Sequence, residues 1–210
     1  MIKDIHSHRE APYPEGVICL DLSSPVFDET QLYSVGVHPW DTVTEIDPAL
    51  VERVRTLASL PNVAAIGEAG IDTLKGGPMF RQLQLFKMHV EISEETGKPL
   101  VIHAVKADDI IMGLHRDLNP SQPWIMHGYR GKPQPGRQLT DKGIYLSFGE
   151  KFNAETLRCV PREFILAETD ESPLPILEII DALSESADTD LLPVIAKNSE
   201  TVIHRQAQAH

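Results

Sequence analysis

Residues 63–68 of this chain read VAAIGE, a short apolar run that ends in a carboxylate. Residues 100–103 (LVIH) and 124–127 (WIMH) repeat the pattern, with a histidine closing each run. Apolar runs without strict alternation are typical of strands that are covered on both faces, as in a parallel sheet. Between the first two runs, Pro78 can open a helix with an apolar stripe, and Gly97 lies beyond its end. Strand, helix and strand in this order predict a βαβ unit.

The same alternation extends along the whole chain and predicts an α/β fold, a (β/α)₈ TIM-type barrel near the lower length limit of that fold. The barrel is expected to be abbreviated in its first βα units, because residues 9–16 (REAPYPEG) hold two prolines and no helical pattern. Residues 28–32 leave room for about one helical turn. No linker divides residues 1–210, so a single domain is expected. The predicted strands are 2–6, 17–21, 33–37, 63–68, 100–103, 124–127, 144–148 and 163–167, and the predicted helices begin at 48, 78, 108, 175 and 194, the last ending at 204.

Composition excludes several classes of protein. With 210 residues, 41% hydrophobic and 24% charged, the chain is neither a coiled coil nor a disordered acidic tail. Its formal net charge of −12 argues against a protein that holds nucleic acid by charge alone. No apolar run approaches the roughly 18 residues of a membrane helix, and no apolar leader is expected. Cys19 and Cys159 lie far apart in the chain, which favours a reducing cytoplasm. We also expect a monomer or a weak homo-oligomer.

Residues that bind metals recur where the predicted strands end. His6 and His8 close the first strand, and residues two apart on a strand point to the same face, so both imidazoles can reach one ion. The C-terminal ends of barrel strands form the face on which such barrels place their active sites. Four further strand ends supply Glu68, His103, His127 and Asp170.

Agreement of five strand ends predicts a metal site. Imidazoles and carboxylates without thiolates suit Zn²⁺, Mn²⁺ or Mg²⁺. Six ligands exceed the usual share of one ion, so two divalent ions bridged by Glu68 are expected. Two simpler interpretations stay open: Asp170 could cap the following helix, and Glu68 could satisfy loop amides. His89 and His115 are expected to serve packing or the surface, and His204 and His210 to be peripheral.

Six motifs follow one another along nearly the whole chain: DIHSH (4–8), GVHPW (36–40), GEAGID (67–72), PLVIH (99–103), HGY (127–129) and ETDESP (168–173). This ordered set resembles the TatD family of metal-dependent hydrolases. The resemblance implies a barrel with a binuclear divalent site that hydrolyses DNA phosphodiesters.

The resemblance also implies roles for single residues. Glu68 and Asp170 are the expected catalytic carboxylates, with Asp170 orienting a metal-activated water or accepting its proton. His38 would lie near the substrate phosphate, and with Arg130 it would stabilise negative charge in the transition state. The implied ligands are His6, His8, Glu68 and Asp170 for one ion, and Glu68, His103 and His127 for the other.

The segments expected to face the substrate depart from the family pattern. Thr73 stands where the family often has an aromatic residue that could stack on a base, and residues 104–106 (AVK) and 128–131 (GYRG) replace Ser-Arg and Cys-Phe-Ser-Gly. Few basic residues lie near the expected mouth, so shallow contact with a DNA end or single strand is predicted rather than a long duplex footprint. These basic residues are chiefly Lys75, Lys106, Arg130 and Lys132.

Two alternatives remain. The same metal site could hydrolyse a small phosphate ester, lactone or cyclic amide, which the acidic charge and the altered segments favour. The barrel could also be a metal-stabilised partner protein without activity, because fold and site resemblance do not fix function.

Overall fold

Within the described residues, eight parallel strands form one sheet in the order in which they follow along the chain. A parallel bridge between Ser7 and Asp170 joins the first strand to the segment after the last, so the sheet closes into a barrel. The computed structural model describes residues 1–23, 25 and 27–203. The strands are β1 (Asp4–Ser7), β2 (Gly16–Cys19), β3 (Leu32–Val35), β4 (Val63–Asp72), β5 (Leu100–Val105), β6 (Trp124–Met126), β7 (Tyr145–Phe148) and β8 (Ile165–Ala167).

The helices lie between and after the later strands. They are α1 (Pro48–Ala58), α2 (Met79–Thr96), α3 (Asp108–Leu118), α4 (Pro133–Thr140), α5 (Ala154–Cys159), α6 (Ile176–Ser186) and α7 (Leu192–Ile203), with short 3₁₀ helices at Pro39–Val43 and Arg162–Phe164.

The predicted abbreviated barrel is confirmed. Among the described residues, no helix lies between β1 and β2 or between β2 and β3, and residues 28–31 form a single turn closed by Gln31 N–H donating to Asp28 O. Residue 204, the predicted end of the last helix, lies outside the described part, as does His210. No described helix is long and apolar enough to cross a bilayer.

The local signals also explain where helices begin and end. Asp47 accepts the Ala49 N–H at 2.9 Å and caps α1, and Gly97 follows α2 with a φ of 67°. Two helices carried no readable signal. Helix α4 contains two prolines and a glycine, and α5 has only six residues, too few to display a helical period.

Two strands are longer than predicted. Strand β4 continues to Asp72, so Glu68 lies inside the strand rather than at its end, and His103 likewise lies inside β5. The extension arises because β4 and β5 remain paired as far as Asp72 and Val105. Apolar residues fill the barrel below these positions: Ile5, Val17, Ala65, Val101, Ile125 and Leu166 belong to one buried cluster.

Candidate metal centre

The site begins as a polar layer directly above this apolar cluster. Because side chains two positions apart on a strand share a face, each of three strands places one polar residue after its buried apolar residue. The pairs are Val101 and His103 from β5, Ile125 and His127 from β6, and Leu166 and Glu168 from β8.

Glu68 reaches the layer through a bulge in β4. The pairing of β4 with β5 shifts by one residue between Ile66 and Ala69. Gly67 in this bulge has a φ of +124°, and a Cβ built on it would lie 2.3 Å from the Val101 carbonyl oxygen. Only glycine fits that backbone position, so the site requires glycine at position 67 as well as a carboxylate at position 68.

The first carboxylate oxygen of Glu68 faces three imidazoles. Its Oε1 lies 2.7 Å from His103 Nδ1, 2.7 Å from His127 Nε2 and 3.1 Å from His38 Nε2. The nitrogens of His103 and His127 are 3.2 Å apart. This oxygen and two imidazole nitrogens therefore converge on one point.

The second oxygen faces a different group. Glu68 Oε2 lies 3.3 Å from His6 Nε2 and 3.7 Å from His8 Nε2, and Asp170 Oδ1 lies 3.9 Å and 3.7 Å from the same two nitrogens. The ring of His6 is fully buried, and neither of its nitrogens has a hydrogen-bond partner among the described residues. Buried polar nitrogens normally have a partner, so the bare His6 Nε2 beside two carboxylates fits a divalent cation.

Two further carboxylates orient the imidazoles from behind. Glu168 Oε1 lies 3.3 Å from His127 Nδ1, and Asp72 Oδ2 lies 3.4 Å from His103 Nε2. Each imidazole thus presents its other nitrogen to Glu68, which is the arrangement that fixes the tautomer of metal-binding histidines. Neither role was predicted from the sequence. Glu168 follows directly after β8 and lies two positions beyond the buried Leu166, and this spacing is the sequence signal by which it can be found.

The carboxylates and imidazoles of the centre shift one another's pKa. Burial would raise the pKa of Glu68, but the neighbouring His127 and hydrogen bonds from three imidazoles hold it well below its usual range. Burial would lower the pKa of His127, but Glu68 and Glu168 hold it well above its usual range. These carboxylates therefore favour the protonated form of His127.

Asp170 is held in place by the backbone. Its N–H donates to His6 O at 3.0 Å, and its carbonyl accepts the His8 N–H at 3.1 Å. The following helix, α6, begins at Ile176 after Pro175, so the capping alternative for Asp170 is wrong. Thr169 strengthens the junction, because its hydroxyl donates to the buried carboxylate of Asp4 at 2.6 Å.

His38 differs from the other imidazoles of the centre. Its Nδ1 accepts the Trp40 N–H at 3.2 Å, so the hydrogen lies on Nε2, which donates to Glu68 Oε1. His38 Nε2 lies within ligand distance of Glu68 and His103, but this tautomer has no free lone pair there. His38 is therefore arranged as a hydrogen-bond donor to an anionic oxygen.

Two cavities meet at the centre. One, of about 710 Å³, has apolar walls from Leu20, Leu22 and Leu50, and the other, of about 970 Å³, is lined by Lys75, Lys106 and Arg130. His103, His127 and Asp170 line both. The structure thus brings the six predicted ligands and His38 together, while the exposed Arg130 lies along the second cavity, outside the cluster.

The family follows from comparison with known proteins. A model described as TatD related DNase matches residues 15–178. The chain belongs to this family. The structure agrees, since the crystal structure of YJJV, a TatD homolog from Escherichia coli K12, superposes with a TM-score of 0.81 over 97% of this chain and 98% of that chain, at 16% identity. At that identity the likeness shows the barrel fold.

Curated relatives match part of their length. The "Uncharacterized metal-dependent hydrolase YcfH" of Escherichia coli K12 is 32% identical over 157 residues, which cover 69% of this chain and 58% of the relative. The "3'-5' ssDNA/RNA exonuclease TatD" of Salmonella typhimurium is 29% identical over 147 residues, covering 65% of this chain and 56% of the relative. The chain therefore spans less than two thirds of the length of these relatives.

Proposed function

We propose that this TatD-family chain hydrolyses phosphodiester bonds of DNA, at ends or in single strands, with two divalent ions bound at the centre. The observation that carries the proposal is Glu68, whose two oxygens face two separate groups of imidazoles, as a bridging carboxylate requires. The nuclease name of the Salmonella relative supports a nucleic-acid substrate. Mg²⁺, Mn²⁺ and Zn²⁺ all suit this set of nitrogen and oxygen donors.

The donor atoms divide into two sets around Glu68. One set combines two carboxylates with two imidazoles, and the other combines Glu68 with two imidazoles. We assign His6, His8, Glu68 and Asp170 to one ion, and Glu68, His103 and His127 to the other.

Divalent ions in such a pair lower the pKa of a coordinated water and offset the charge of a phosphate. Asp170, with a side chain that is 30% exposed, lies at the mouth, where it can accept the proton of the attacking water. With substrate bound, the His38 Nε2–H, which donates to Glu68 Oε1 in the structure, would donate instead to a non-bridging phosphate oxygen, where negative charge grows in the transition state. Arg130, which lines the cavity of about 970 Å³, approaches the same phosphate from the solvent side.

The test is hydrolysis of single-stranded and double-stranded DNA with Mg²⁺ or Mn²⁺, with and without EDTA. Glu68→Ala and His127→Ala should abolish turnover and leave the fold largely intact, as judged by circular dichroism. His115→Gln is the matched control, because His115 lies on α3 and packs against Trp124 outside the centre. Full activity in either alanine variant would remove that residue from the mechanism, and DNA that survives with either metal would contradict the proposed substrate.

A second substrate class has its own support. The cavity with apolar walls, about 710 Å³, is large enough for a small phosphate ester or lactone, and the net charge of −12 disfavours long polyanions. A panel of small phosphate esters and lactones separates the two. If these are hydrolysed while DNA survives, the small-ester activity is the correct one.

A further inference from the structure

Trp40 is an exposed indole at the junction of the two cavities. Its relative exposure is 43%, whereas the second tryptophan, Trp124, is 1% exposed. Trp40 lines both the cavity of about 710 Å³ and the cavity of about 970 Å³. An indole open beside a polar centre offers a flat apolar face on which a planar ligand can stack.

The indole is fixed in one orientation. Its Nε1–H donates to Asp72 Oδ2 at 2.6 Å, and Asp72 in turn accepts the backbone N–H groups of Leu74 and Lys75. The ring of His38 packs edge-on to the indole, with centroids 4.5 Å apart and an interplanar angle of 75°. The residue that we expect to donate to the phosphate is thus in direct contact with the indole.

One face of the indole is covered by a flexible cation. Lys75 Nζ lies 4.3 Å from the ring centroid, in cation–π contact, and the Lys75 side chain is exposed. Lys106 and Arg130 line the same cavity, where they alternate with the carboxylates of Asp108, Asp109 and Asp170. A planar group could therefore replace the ammonium on the ring, while the ammonium turns to a neighbouring anion.

We propose that Trp40 and Lys75 bind the nucleotide next to the scissile bond, the indole stacking on its base and the Lys75 ammonium pairing with its phosphate. This inference rests on the proposed phosphodiesterase function and names the substrate feature that the site recognises. Stacking on an aromatic side chain accepts any base, so the element gives affinity and position without sequence specificity.

The first experiment uses Trp40 as its own reporter. The Trp124→Phe variant retains Trp40 as its one tryptophan. It is titrated, in its metal-loaded form, with a thymidine tetranucleotide carrying phosphorothioate linkages and with an abasic tetramer of the same length and charge. We expect the thymidine tetramer to quench the Trp40 fluorescence and the abasic tetramer to leave it nearly unchanged. Equal quenching by both would overturn the stacking.

Substitutions then separate stacking from the hydrogen bond to Asp72. Trp40→Leu should weaken binding of the thymidine tetramer about tenfold and leave binding of the abasic tetramer within twofold. Trp40→Phe keeps a stacking ring without the N–H and should recover most of that affinity. Phe80→Leu is the control, since Phe80 is 65% exposed and lies outside both cavities. If Trp40→Phe is as damaging as Trp40→Leu, the bond to Asp72 carries the effect and the proposal is wrong.

Lys75 is tested by charge. Lys75→Ala should weaken both tetramers and reduce the salt dependence of binding, and Lys75→Arg should restore both. Lys87→Ala, an exposed lysine of α2, should change neither. Wild-type protein that neither binds nor cleaves any oligonucleotide would refute the proposed function together with this inference. Wild-type protein that cleaves thymidine oligonucleotides while Trp40→Leu retains the same KM and Kd would refute this inference alone.

Discussion

Replacing Glu168 with Gln tests how the centre is oriented. Glu168 is fully buried, its Oε1 accepts the Gly128 N–H at 2.6 Å and lies 3.3 Å from His127 Nδ1. Glutamine has nearly the same shape and retains an oxygen for both contacts. The substitution therefore removes the negative charge behind His127 with little change in packing.

The expected loss follows from these two contacts. A hydrogen bond to a charged group contributes about 1.5–3 kcal/mol and a neutral one about 0.5–1.5 kcal/mol, so weakening the His127 contact costs about 1.4 kcal/mol. That difference is about tenfold in affinity, at the lower end of the 10–100-fold that outer partners of metal ligands typically contribute. Glu168→Ala removes the acceptor from both Gly128 and His127, so it should weaken metal binding more and also destabilise the fold.

The assay is a competition titration of Zn²⁺ or Mn²⁺ against a chelator, with thermal unfolding in EDTA as the separate measure of stability. Glu168→Gln should bind metal about tenfold more weakly and unfold within a few degrees of wild type. Glu163→Gln removes the same charge at an exposed position before β8 and should bind as wild type does. Metal affinity of Glu168→Gln within twofold of wild type would refute the role of Glu168 behind His127.

Two other predictions concern the barrel that holds the centre. Burial lowers the pKa of His89 to about 4, below the 6.5 of an unfolded histidine, while its Nε2 accepts the Val37 N–H. The metal-free protein should therefore lose about 3 kcal/mol of stability from this group as the pH falls from 6.5 to 4. Urea unfolding at both pH values should give a smaller loss for His89→Gln, and equal losses would contradict this. Gly67→Ala should cost more than about 2 kcal/mol and weaken metal binding, because its Cβ would meet the Val101 carbonyl. Gly113→Ala in α3 has open space and should be neutral or stabilising in the same denaturation assay, so similar losses in both variants would count against the bulge argument.

The sequence predicted the parts of the fold and site that depend on local order. His103 and His127 close apolar runs, and the strand period alone places them above the buried Val101 and Ile125. The first crossover was predicted as a loop because prolines and the missing helical pattern are local properties. Asp47, a helix-capping residue before Pro48, likewise predicted the start of α1.

Other parts depend on contacts between distant segments. Glu68 reaches the centre through the bulge at Gly67, where the register between β4 and β5 shifts by one residue. No pattern within residues 63–68 indicates that shift. The contact between Glu168 and His127 joins residues 41 positions apart. The orientation of the Trp40 indole depends on its hydrogen bond to Asp72, 32 residues further along the chain. A cytoplasmic location, a single domain and a monomeric or weakly associating state stay predictions.

The central claim is that Glu68 bridges two ions, and metal stoichiometry tests it most directly. Purified protein is stripped with chelator, reloaded with Mn²⁺ or Zn²⁺, and analysed for bound metal per chain beside Glu68→Gln. We predict two equivalents for wild type and weakened binding of both in Glu68→Gln, since the carboxylate belongs to both ligand sets. One equivalent in wild type, or a Glu68→Gln variant that loses one ion and binds the other with unchanged affinity, would contradict the bridge.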